Sequence, residues 1–173
     1  MRIQLIILLL VLGFCKAVAQ LSVQSKQIEA TCKLIDKDSS LKKKVYEQEE
    51  FMDHATDNGA SLTFYYKNGL VYRITEWVGL SGYVVIIDYY FQSGKLVYVR
   101  DEELTYERNP VTGDLTGKFS KDDRFLGKYF FRNNKLVDQV SLGHNRFEDD
   151  EKNDAEKEFI ISAKKHLSLF YKK

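Results

Sequence analysis

From Ser61 onward, apolar and polar positions alternate with a period of two. In "SLTFYYK" the residues Leu62, Phe64 and Tyr66 alternate with Thr63, Tyr65 and Lys67, and the run ends at Asn68-Gly69. Asn-Gly between alternating runs signals a hairpin, because both turn residues must take positive φ. "LVYRITEWV" returns, Gly79-Leu80-Ser81-Gly82 turns the chain, "YVVIIDYYFQ" runs to Ser93-Gly94 and "KLVYVRD" comes back. After "ELTYE" a loop is predicted around Asn109-Pro110 and Thr112-Gly113-Asp114; "RFLGKYFFR" then reaches Asn133-Asn134 before "KLVDQVSL". Asparagine tolerates the left-handed region, so Asn133-Asn134 can do what Asn68-Gly69 does. Plain two-residue turns predict Tyr66 opposite Val71 with Tyr65 opposite Tyr72. They likewise predict Phe91 opposite Leu96, Tyr90 opposite Val97 and Tyr89 opposite Tyr98, then Phe131 opposite Leu136 and Phe130 opposite Val137. In each hairpin an aromatic meets an aliphatic at the second pair, a favourable cross-strand contact.

The two ends have a different period. In "SVQSKQIEATCKLIDK", residues 22–37, Ile28, Cys32 and Ile35 fall on one helical face, and Asp38-Ser39-Ser40 breaks the pattern. "LKKKVYEQEEF" carries helix-like charges but also alternates; an edge strand is favoured, since lysines discourage edge-to-edge pairing. At the C-terminus Ala155, Phe159, Ala163, Leu167 and Phe170 form one stripe. Asn153 and Glu156 fit a capping box there, with acidic residues in the first turn and lysines in the last. The expected fold is α+β: an antiparallel β-sheet of successive hairpins, about seven or eight strands, with N- and C-terminal helices packed on one face.

The first residues bear on compartment. Arg2, the apolar run Ile3 to Phe14 and the small residues Ala17-Val18-Ala19 have the layout of a signal peptide cut after Ala19. That run is shorter than the about 20 residues a membrane span needs, and Tyr83 to Phe91 is interrupted by Asp88. Lipid attachment at Cys15 is disfavoured because Phe14, not a small residue, precedes it. The chain is expected to be exported, periplasmic or extracellular, with residues 1–19 as signal peptide, 20–173 as a single domain and no membrane span after cleavage. Cys32 would then be the sole cysteine, which excludes an internal disulfide and fits a small buried hydrophobe. Removing Arg2 and Lys16 from 26 basic residues leaves 24 against 25 acidic ones, a formal charge of −1. Such a balance argues against nucleic acid as a partner.

The three hairpin phrases carry a resemblance. Tyr65-Tyr66-Lys67-Asn68-Gly69-Leu70, Tyr90-Phe91-Gln92-Ser93-Gly94-Lys95-Leu96 and Phe130-Phe131-Arg132-Asn133-Asn134-Lys135-Leu136 follow an aromatic–aromatic–x–Asn–Gly–Lys–Leu phrase. They resemble a family of small, functionally uncharacterised secreted proteins from Gram-negative bacteria of the Bacteroidetes kind. A looser likeness is to hairpin-repeat antitoxin-like proteins with YYxNGxL units. The first copy lacks the lysine after glycine and the third has asparagine in place of glycine. The resemblance implies fold and export, and supplies no catalytic residue.

Candidate chemistry is sparse. His54, His144 and His166 have no metal-ligand spacing, and no cofactor is expected. Asp101-Glu102-Glu103 and Glu148-Asp149-Asp150-Glu151 lack calcium-loop spacing and read as solvated charge. Ser81 in "GLSGY" sits in a turn rather than in a Gly-x-Ser-x-Gly elbow. Aromatic richness is the stronger signal, with 11 tyrosines and a single tryptophan. A helix covers one face of a sheet, so an aromatic face bearing Tyr65, Tyr72, Trp77, Tyr89 and Tyr98 is the expected binding surface. The favoured function is an exported, non-enzymatic binding module for an unidentified protein, peptide or glycan of the cell envelope. The alternatives are a hydrolase of envelope or dietary polymer using carboxylates such as Glu76 or Asp101, and a structural subunit pairing through a sheet edge.

Overall fold

The computed structural model describes residues 23–143 and 155–172. The proposed signal peptide, Cys15, His144, the Glu148–Glu151 cluster and Asn153 lie outside the described residues. Helix α1 covers residues 23–37. Strand β1 (Lys42–Glu47) and the single turn α2 (Gln48–Phe51) follow, then β2 (Ala60–Lys67), β3 (Leu70–Gly79), β4 (Tyr83–Gln92), β5 (Lys95–Arg108), β6 (Leu115–Arg132), β7 (Lys135–Leu142) and α3 (Ala155–Tyr171). The strands form one seven-stranded antiparallel sheet in the order β1-β2-β3-β4-β5-β6-β7, every neighbour in sequence being a neighbour in space. The α+β expectation holds, and β1, with Lys42, Lys43 and Lys44 exposed, is an edge strand as its charge pattern predicts.

The three turns take the left-handed conformation at both positions: φ is 52° and 76° at Asn68-Gly69, 51° and 73° at Ser93-Gly94, and 51° and 58° at Asn133-Asn134. The first two pairs of each hairpin match the expected register; the third does not. Tyr65 faces Arg73, Tyr90 faces Tyr98 and Phe130 faces Asp138, one residue further along each returning strand. A β-bulge at Tyr72, Val97 and Val137 absorbs the extra residue, which turn-based counting cannot foresee. The bulge re-phases the strand. Leu96 and Val99 both reach one face, while Val97 and Tyr98 both reach the other.

That re-phasing decides where the helices go, and it corrects the expectation that both pack on one face. Phe159 and Ala163 of α3 pack with Phe64, Ile74, Tyr89, Val99 and Tyr129. Cys32 of α1, flanked by Ile28 and Ile35, packs with Tyr90, Tyr98 and Phe130, the neighbours of those residues along the same strands. Successive strand residues point to opposite faces, so α1 and α3 sandwich the sheet. The physical reason lies in the paired aromatics. Tyr89-Tyr90 and Tyr129-Phe130 give each face a large apolar ring to cover, so a helix on one side alone would leave the other rings wet.

Among the described residues the core on the α3 side holds 14 buried residues and that on the α1 side four, so the α3 side supplies the main hydrophobic drive for folding. Glu156 at the start of α3 reaches across to β7. It accepts the Leu136 backbone N–H at 2.6 Å and Lys135 Nζ at 3.1 Å, and these bonds hold its carboxyl below the usual range. Helix α3 ends at Tyr171 with no basic residue in its last turn; the lysines expected there begin just beyond it, at Lys172.

Candidate functional site

Register and alternation set out the α1 face in three rows running across the strands, because directly opposed residues share a face. The first row is Lys43, Tyr65, Arg73, Tyr90, Tyr98, Phe130 and Asp138. Helix α1 lies along it. Ser25 donates to Asp138 at 2.6 Å, Glu29 pairs with Lys128 at 2.7 Å, and Asp36 takes Arg73 at 2.5 Å and the Tyr90 hydroxyl at 2.9 Å. The helix therefore runs from β7 towards β3 and stops short of Tyr65. That ring instead lies beneath the Arg73 guanidinium, 3.8 Å from its centroid, with Lys43 Nζ at 5.3 Å.

The second row is polar: Thr75, Asp88, Arg100, Lys128 and Val140 on β3 to β7. Asp88 is buried at 2 % exposure, accepts Thr75 Oγ1 at 2.6 Å and Arg100 Nη2 at 2.7 Å, and lies 4.0 Å from Arg73 Nε. A buried carboxylate needs such partners. Burial alone would lower the affinity of Arg73 and Arg100 for their protons; Asp88 together with Asp36, Tyr65 and Tyr90 at Arg73, and with Tyr90 and Glu102 at Arg100, outweighs it, and both guanidinium groups are held charged more firmly than usual. Burial, with the charges of Asp88 and Asp36, raises the Tyr90 phenol; burial and Glu29 do the same for Tyr98, so both rings remain neutral.

The third row is Trp77, Ile86, Glu102, Leu126 and Leu142. It lies beyond α1: the first four are half-buried, and Leu142 is 57 % exposed. Gly79 leaves room for the indole, since a Cβ there would come within 2.7 Å of Trp77 Cη2 and of Asn58 Cβ. Between this row and the helix, Arg100, Glu102, Tyr98 and Lys128 line a cleft of about 240 Å³.

The five aromatic residues expected on one face are divided. Trp77 stands in the open row, Tyr65 on the same face past the end of α1, and Tyr98 on that face but buried under α1. Tyr72 is half-buried at the first bulge. Tyr89 belongs to the opposite face, 1 % exposed in the α3 core, with its hydroxyl donating to Glu76 at 3.2 Å. Burial and the Glu76 charge push its phenol well up. Arg73, Asp88, Arg100 and Lys128 escaped the reading of the sequence, because their significance comes from cross-strand register. "VVIIDYYF" did carry a signal, a lone acid in an apolar strand that must find partners when buried.

The remaining candidates lie on the α3 face and at the β3–β4 turn. Glu76 and Asp101 fall in one row of the α3 face, two strands apart. Glu76 bonds to His166 Nε2 of α3 at 3.1 Å, and Asp101 is 1 % exposed. The Ser81 hydroxyl and backbone N–H donate to Asp57, tying the β3–β4 turn to the segment before β2. No group of three or more metal-ligating side chains converges among the described residues, and no described helix is long and apolar enough to cross a membrane. Comparison with known protein families, curated proteins and solved structures returns no match to this chain.

Proposed function

We propose that this chain is an exported, non-enzymatic binding module that engages a peptide, glycan or protein of the cell envelope on the half of the sheet face that α1 leaves open. The observation that carries the reading is the row Trp77, Ile86, Glu102, Leu126 and Leu142, a mostly apolar band one residue deep across five strands. It borders a fixed line of charge at Asp88, Arg100 and Lys128. Apolar contact area beside pre-positioned polar groups is the usual composition of a recognition surface. The layout of residues 1–19 supports export, and mass spectrometry of the secreted chain should find Gln20 first.

Trp77 is the single tryptophan, so intrinsic emission reports directly on the surface. Titration with envelope extracts separated into peptide, glycan and protein fractions should shift that emission with saturation. Ile86→Glu or Leu142→Glu should remove the shift, whereas Leu70→Glu at the first hairpin turn should not. An emission shift unaffected by Ile86→Glu and Leu142→Glu would count against the reading. A second reading, assembly through a sheet edge, draws on one asymmetry: β1 carries three adjacent lysines, whereas β7 has none beyond Lys135. Sedimentation of the wild type and of a Gln139→Pro variant would separate a paired edge from a monomer.

A further inference from the structure

Arg100 and Glu102 stand two residues apart on β5 and share a face, about 7 Å apart along the strand. Both line the 240 Å³ cleft between α1 and the sheet, with Tyr90 and Tyr98 on the sheet side and Lys33 on the helix. Several charges there already have partners: Lys128 is held by Glu29, and Asp36 by Arg73. Arg100 gives Nη2 to Asp88, and its side chain is 40 % exposed where it lines the cleft. Glu102 makes no ion pair or hydrogen bond among the described residues. The cleft thus offers a fixed guanidinium with a donor to spare and, one row away, an available carboxylate. An oxyanion alone would also meet Glu29, Asp36 and Glu102; a cation alone would meet Arg100 and Lys33. A compact zwitterion meets both.

Building on the reading that this is the ligand-binding face, we propose that the cleft binds a free α-amino acid. Its carboxylate accepts from Arg100, its ammonium donates to Glu102, and its side chain lies against Tyr90 and Tyr98. The two charges of an α-amino acid sit one carbon apart, and side chains two residues apart on one strand face can each offer a charge-assisted hydrogen bond to one of them.

The test is calorimetric titration of the full chain with L-phenylalanine, L-leucine, L-glutamate and L-lysine, each beside its N-acetyl and carboxamide forms. At least one parent should bind saturably, and each of its blocked forms should bind at least tenfold more weakly. Glycyl-phenylalanine, whose charges are further apart, should also bind more weakly than phenylalanine. Glu102→Gln should weaken the parent at least tenfold, and Arg100→Gln should abolish binding. Because Arg100→Gln also strips Asp88 of its partner and can unfold the chain, the blocked ligands and Glu102→Gln decide the matter on an intact fold. No saturable heat from any parent, equal affinity for blocked forms, or tighter binding of the dipeptide overturns the proposal. Failure of this panel with the Trp77 response to envelope fractions intact rejects the amino-acid assignment alone; loss of that response rejects the face.

Discussion

The two faces of the sheet are built from the same repeated phrase and differ in what covers them. Under α3, Phe159 and Ala163 meet rings and aliphatic side chains from β2 to β6, and among the polar groups there Glu76 bonds to both Tyr89 and His166, with Asp101 buried in the same row. Under α1, Ile28, Cys32 and Ile35 rest on Tyr90, Tyr98 and Phe130, and the helix is otherwise held by Ser25, Glu29 and Asp36 reaching polar partners on the strands. Apolar area is non-directional and strong in sum, whereas each partly exposed polar tie contributes only about 1 kcal/mol. A sheet can thus fold on one side and present chemistry on the other. The α3 face carries most of the buried core; the α1 face is the one proposed to carry recognition.

Core truncation should separate the faces most sharply. Phe159→Ala, at a fully buried α3 position, should destabilise by about 3–5 kcal/mol, while Ile28→Ala, half-buried on α1, should cost about 1–2 kcal/mol in urea unfolding. Asp88→Asn comes next, at about 2–4 kcal/mol, because it leaves two guanidinium groups without their buried counter-charge; Arg100 is 40 % exposed, so water recovers part of the loss. Its loss should fall on the α1 face, seen as weakened Asp36–Arg73 coupling in a double-mutant cycle. Asn134→Gly, at a turn position with φ 58°, should stabilise by about 0.5–1 kcal/mol in the same assay, since glycine takes this conformation freely.

Two pH effects are smaller. Glu156 has a depressed carboxyl pKa, so its contribution is present above the ordinary glutamate range and lost as pH falls through the folded value. Glu156→Gln should flatten the acid limb of thermal stability. Burial pushes the Cys32 thiol up to about 12, with Asp36 and Glu29 adding to the effect. Its stabilising contribution is full below the ordinary thiol range and lost as pH rises towards the folded value, and Cys32→Ala should remove that alkaline slope.

Much of the sheet was legible because turn chemistry is local. Asn68-Gly69, Ser93-Gly94 and Asn133-Asn134 mark their own left-handed positions, and the lysines of β1 mark an edge. The bulges were not legible, since an extra residue at Tyr72, Val97 or Val137 leaves the apolar count unchanged and only shifts which residues share a face. That shift divided the expected aromatic surface, sending Tyr89 to the α3 core and leaving Trp77 in the open row. It also aligned Asp88 with Arg100 and Lys128 on neighbouring strands, a row no linear motif contains. Strand β6 reaches back to Leu115 for a related reason: "LTGKFSKDD" is too polar to declare a strand, yet pairing with β5 extends it, and Tyr106 stacks on Phe119 at 4.8 Å.

The contrast between the faces is measured most directly by thiol labelling. Cys32 on α1 and Ala163 on α3 are both 3 % exposed, so a cysteine at either site reacts only when its helix lifts. The wild type and a Cys32→Ala/Ala163→Cys variant would be labelled at fixed pH across low urea concentrations. Cys32 should react through a local opening that costs several kcal/mol less than global unfolding and hardly depends on urea, while the cysteine at position 163 should react only at the global unfolding free energy. Equal opening free energies and equal urea dependence at the two sites would contradict the division between a face that holds the fold and a more loosely covered face proposed to meet a ligand.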